Sequence, residues 1–136
     1  MFPRIVLGLS ALVYVGIGLA FIFAPESLLP RVNIAASSGT ALADIRAVYG
    51  GLDLGVGVLL AYCLMRNEIR TGLLACVFTL GGLALGRVYG ILLDTEQDSI
   101  TYGLLAAELI GAATAVVGLR MLTSSTAAAP HTESAG

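Results

Sequence analysis

The sequence contains no lysine, no tryptophan, a single histidine, two cysteines and four prolines in 136 residues. Each scarcity excludes something. Seven arginines stand against nine acids, for a net charge of −2, so there is no basic face to neutralise phosphates and nucleic acid is excluded as a partner. With His131 alone and no Cys-x-x-Cys pair, the ligand spacing of a structural zinc or haem site is missing, and neither a metal nor another cofactor is expected. Cys63 and Cys76 sit near the facing ends of two adjacent apolar segments and read as inert, buried thiols rather than a disulfide framework. The absence of Trp leaves Tyr and Arg to form any interfacial belt. Charge is the scarcest property: 12% of residues, about half of the roughly 25% usual in a soluble domain.

What replaces charge is apolar length. Hydrophobic residues make up 57% of the chain and the mean hydropathy is +0.93. Four apolar segments, near residues 5–23, 41–64, 71–93 and 100–122, each reach the about 20 residues that cross a bilayer. The expected fold is therefore all-α: an integral membrane four-helix transmembrane bundle occupying residues 1–122, with no soluble domain beside it. The first segment is longer than the about 7–15 residues of a signal-peptide core and Pro25 follows it closely, so it is read as a retained span. The connection from 24 to 40 mixes breakers with Leu28, Leu29, Val32 and Ile34, a composition suited to an interfacial cover over the bundle. Residues 123–136 are small and polar and read as a disordered cytoplasmic tail.

Arginine counting orients the bundle. Arg4, Arg66, Arg70 and Arg120 fall on one side, whereas the other has Arg31 and an acidic connection, so the positive-inside rule gives an N-in/C-in topology. On that topology Arg46 and Asp53 of span two lie about 7 and about 18 Å below its outer end, Arg87 of span three about 9 Å, and Glu108 of span four about 12 Å. Two arginines and two carboxylates thus share one slab, at a depth where each costs about 2.5–3.5 kcal/mol unless it pairs or meets water. At about 100° per residue, Arg46, Tyr49 and Asp53 lie within roughly 60° of one another on an α-helix, forming one polar stripe. Tyr49 is then expected to share a pocket in which Arg46 and Arg87 face Asp53 and Glu108 across the bundle axis. The sequence does not assign either arginine to a particular acid. Tyr14, near the middle of span one, is read as a packed ring or as a contributor to the same polar site.

Small residues recur at four-residue spacing in spans three and four. Gly82, Gly86 and Gly90, and in span four Gly103 and Gly111, read as ridges that let another helix approach closely.

The Ala-Pro-x-Ser-type connection after span one, the stretch RAVYGGLDLG and the stretch LGRVYG together resemble a family of small uncharacterised bacterial four-helix membrane proteins, distantly DoxX-like. The likeness covers about residues 5–120 and rests most on Arg46, Tyr49, Gly50, Gly51, Gly86, Arg87 and Gly90. It implies a multi-pass protein of the bacterial cytoplasmic (inner) membrane and no particular activity.

These observations point to a charge-balanced intramembrane polar cavity that binds or transports a small amphipathic or anionic ligand, with Arg46, Tyr49, Asp53, Arg87 and Glu108 as ligand-binding residues. One alternative is an intramembrane enzyme acting on a lipid-soluble substrate, with Asp53 or Glu108 as the acid/base and Tyr49 as hydrogen-bond donor. The lack of a nucleophile–base motif, metal cluster or phosphate loop weighs against catalysis. The other is a structural subunit that uses its glycine ridges against a membrane-protein partner or a second copy, and in every case membrane lipid surrounds the chain.

Overall fold

Pro3 in its first turn suits the start of helix α1, Phe2–Phe23, because the missing N–H of proline would find no partner there in any case. The computed structural model describes residues 1–94 and 97–127, and among these there is no strand. Helix α1 ends where Ala24 leaves helical geometry at φ −137°, and Pro25 begins the short α2, Pro25–Leu28. A 3-10 turn, Leu29–Val32, follows and is stopped by Asn33 in the left-handed region at φ 54°. Ser38 then caps α3, Gly39–Ile45, its Oγ accepting from the Ala41 N–H at 3.1 Å. Without a break the backbone passes through a π-helical segment, Arg46–Leu52, into α4, Asp53–Met65. A tight turn with Asn67 at φ 60° leads to α5, Ile69–Leu93, and α6 spans Ser99–Ala127.

Four helical stretches are long and apolar enough to cross a membrane: Phe2–Phe23, Gly39–Met65, Ile69–Leu93 and Ser99–Thr123. They mark the chain as a membrane protein. Helix α6 runs to Ala127, past the expected limit at 122, and the rest of the expected tail, 128–136, lies outside the described residues.

The helices pack chiefly as two pairs, α1 with the Arg46–Met65 stretch and α5 with α6. The first pair is the tighter, and glycine makes it so. A Cβ on Gly18 would stand 2.6 Å from the Leu54 nitrogen and 2.9 Å from the Gly50 oxygen; one on Gly57 would stand 2.7 Å from the Val15 nitrogen. Only glycine permits that backbone approach. The helix-packing glycines expected from spacing behave differently. Gly82, Gly86, Gly90 and Gly103 have no described atom within 4 Å of a Cβ position, and of the expected set only Gly111 meets a neighbour, Leu80 at 2.7 Å. The α5 ridge and the Gly103 position are therefore not closed by another helix among the described residues, whereas Gly111 packs on α5.

The core is filled at one end only. Leu7, Ala11 and Tyr14 of α1, Leu60 and Cys63 of α4, Ile69, Leu73 and Cys76 of α5 and Ala115 of α6 form one buried cluster around the Asn67 turn. Both cysteines are free and buried within it. At that end Arg4 also donates to the Asn67 side-chain oxygen at 2.5 Å. At the other end a smaller cluster of Phe21, Leu29 and Ile45 lies under the 25–36 segment and involves neither α5 nor α6. The two pairs are joined there by a hydrogen bond from the Asn33 amide to Asp98.

Candidate functional site

Because the core stops part-way, a cavity of about 530 Å³ opens between α1, α4 and α5. Its walls are mostly apolar. Leu52 and Val56 face it from one side and Leu83 from the other, and Gly82 and Gly86 leave that wall without side chains. The polar groups on its lining are Tyr14, Asp53, Thr79 and Arg87.

Tyr14 and Thr79 are tied to each other. The Tyr14 hydroxyl donates to Thr79 Oγ1 at 3.1 Å, and the Thr79 hydroxyl donates back along its own helix to the Ala75 carbonyl at 2.8 Å. Both hydroxyl protons are thereby engaged inside the protein, and a bridge forms between α1 and α5 at the boundary of core and cavity. The sequence singles out Tyr14 but not Thr79. The available signal was a hydroxyl in the interior of an otherwise apolar span.

Arg87 and Glu108 meet in a fork. The Arg87 Nε lies 3.1 and 3.0 Å from the two Glu108 carboxylate oxygens, and one terminal nitrogen lies 2.6 Å from Oε1. The Glu108 side chain is 9% exposed and the Arg87 side chain 27%, so the acid is sealed between helices while the guanidinium reaches the cavity wall. Such two-point contact fixes both geometry and charge. It is the ion pair recorded among the described residues.

Asp53 is the exception. It is half-buried, lies roughly midway along the Gly39–Met65 span and faces the cavity, yet it makes no hydrogen bond or ion pair with a described residue.

Arg46 and Tyr49 lie off the cavity lining, although Tyr49 stays within electrostatic reach of Arg87, and the π-helical segment is the physical reason that the stripe divides. An α-helix turns about 100° per residue and a π-helix less, roughly 80–85°, so across seven residues the face of Asp53 falls on the order of 100° behind the α-helical expectation. The single stripe is split. Arg46 is exposed, and its Nε donates to the Ile22 carbonyl at 3.3 Å, one of the last carbonyls of α1, where a cation also suits the helix end. The Tyr49 ring lies against Phe21 with centroids 5.5 Å apart. Of the five expected site residues, the fold joins Arg87 to Glu108, brings Asp53 and Arg87 to one cavity, and turns Arg46 and Tyr49 toward the end of α1.

Among the described residues no group of three His, Cys, Asp or Glu side chains is arranged to hold a metal ion. One family model, described as a domain of unknown function (DUF4345), matches residues 2–119. No curated protein and no solved structure matches the chain.

Proposed function

The chain belongs to the DUF4345 family of domains of unknown function, and we propose that within the membrane it is a binding module for a small amphipathic molecule, held in the cavity between α1, α4 and α5. The observation that carries this reading is Asp53, a carboxyl group near mid-span that faces an apolar cavity with no partner among the described residues. An ionisable group at such depth costs about 2.5–3.5 kcal/mol on insertion scales, so a site that keeps one uncompensated is built to meet something. The apolar part of the ligand lies along Leu52, Val56 and Leu83, in the space that Gly82 and Gly86 leave open. Its polar part meets Asp53 and the Tyr14–Thr79 pair. The fork between Arg87 and Glu108 favours binding over acid–base chemistry, because it commits Glu108 and leaves Asp53 without a second carboxyl group to work with.

In the same reading the protein is a multi-pass protein of a bacterial cytoplasmic membrane, distantly akin to the DoxX-like group, with both termini inside. The side of each arginine outside the spans supports that orientation, which sets the Arg87 end of the cavity toward the outer leaflet and Asp53 near the bilayer midplane. Gly86→Leu tests the proposal. A side chain there meets open space, so the helix folds while the cavity fills. Native mass spectrometry of protein in lipid nanodiscs should find a lipid-soluble molecule retained one per chain by the wild type and lost by Gly86→Leu, with the thermal midpoint of the ligand-free proteins alike. Equal retention by both would refute the cavity as the site.

A further inference from the structure

We propose, resting on the cavity reading above, that the occupant is a lipophilic monocation whose positive charge is paired with Asp53. The charges on the walls lead to this. Arg87 carries its counter-charge with it, since Glu108 holds it at 2.6 to 3.1 Å through two of its nitrogens. Arg46, the other arginine of this depth, is turned to the Ile22 carbonyl at the end of α1. What remains facing the cavity is one carboxylate, an acceptor with no donor of its own, flanked by two hydroxyl groups whose protons already point to Thr79 and Ala75. Asp53 and Arg87 on the lining sum to zero, but Glu108 behind the wall already neutralises Arg87, so the site with its bound counter-charge is negative by one. An anion entering this space meets Asp53 with no surplus positive charge to offset it, and a neutral molecule can offer Asp53 a hydrogen bond but no counter-charge. A monocation brings the sum to zero, in surroundings where the attraction is several times stronger than in water. The shape agrees. Asp53 lies near mid-span and the α5 wall is opened at Gly82 and Gly86 between Thr79, Leu83 and Arg87, which accommodates a compact cation whose apolar groups surround its charge.

The test uses two ions of nearly the same shape and opposite charge, tetraphenylphosphonium and tetraphenylborate. Their binding to the wild-type protein in nanodiscs is measured by equilibrium dialysis, with empty nanodiscs subtracted. The phosphonium should bind saturably at one per chain and the borate should not. Asp53→Asn should weaken phosphonium binding by about tenfold or more, and Asp53→Glu should restore most of it. If both ions bind alike, or if Asp53→Asn changes nothing, the charge assignment is overturned while the cavity stands, provided that Gly86→Leu still abolishes binding. Equal binding of the two is also the result expected if a proton alone balances Asp53. If neither ion binds, and no Gly86-sensitive molecule is retained from the membrane, both readings fall. The wild-type comparison of the two ions needs no variant, so a poorly folding substitution does not protect the proposal.

Discussion

Replacing Glu108 by Gln keeps the volume of the side chain and removes its charge, leaving the Arg87 guanidinium inside the bundle without the partner that now holds it through three contacts. Breaking a buried pair from one side costs about 3–5 kcal/mol in soluble proteins, most of it for the stranded charge. Two features reduce that figure here. The Arg87 side chain is 27% exposed and already reaches the cavity wall, and the amide oxygen of Gln still accepts one hydrogen bond. We expect Glu108→Gln to cost about 2–3 kcal/mol, and Arg87→Gln, which strands a carboxylate only 9% exposed, to cost at least as much. The double variant strands nothing, so its cost should fall well below the sum, with a coupling of about 1–3 kcal/mol. Reversible unfolding of the four proteins in mixed micelles, followed by helical circular dichroism, measures the cycle. A coupling below about 0.5 kcal/mol would refute the reasoning, because it would mean that the fork contributes geometry without energy.

Gly18→Ala should destabilise by about 1–3 kcal/mol, since its new methyl group would press on the Leu54 nitrogen and the Gly50 oxygen and neither backbone can step aside, whereas Gly103→Ala, facing open space, should be neutral or slightly stabilising; thermal unfolding of the two separates close helix approach from glycine content. Deleting Ala47 should convert the Arg46–Leu52 segment to α-helix with the face of Asp53 nearly unchanged, because six α-helical steps of about 100° turn the chain about as far as seven π-helical steps of about 80–85°, so the protein should insert with four spans and keep its cavity ligand; loss of retention would show that the π turn does more than absorb one residue.

The spans were legible because hydropathy over some twenty residues is a coarse, additive signal that no local detail overrides. The intramembrane ion pair was legible in kind, since Arg87 and Glu108 lie at one depth and have few alternatives, but its pairing needed the fold. The stripe of Arg46, Tyr49 and Asp53 was drawn on an α-helical wheel, and the two-glycine segment RAVYGGL winds as a π-helix instead. Spacing alone cannot distinguish a helix that accommodates one extra residue from one that does not. The glycines misled for a related reason. Gly82 and Gly86 have the regular spacing of a packing ridge and line a cavity, while Gly18, Gly50 and Gly57, spread over two spans, are pressed against another helix's backbone. Four-residue periodicity reports that glycines share a face and is silent on what that face meets.

The one-sided filling of the core also has a mechanical consequence. Helices α4 and α5 are clamped near Cys63 and Cys76 and run free of each other beyond, like the arms of a tweezer. From Cys76 to Leu93 the free arm is about 25 Å long, so a tilt of about 5° at the clamp moves its tip by about 2 Å. At the far end the bond from Asn33 to Asp98 joins the connection after α1 to the start of α6, and the Arg87–Glu108 fork and the Tyr14–Thr79 bond tie the α5 arm to α6 and α1. A widening of the gap between α4 and α5 would thus carry α6 along with α5, and substitutions at the clamp, far from the cavity, are expected to change the size of molecule it admits.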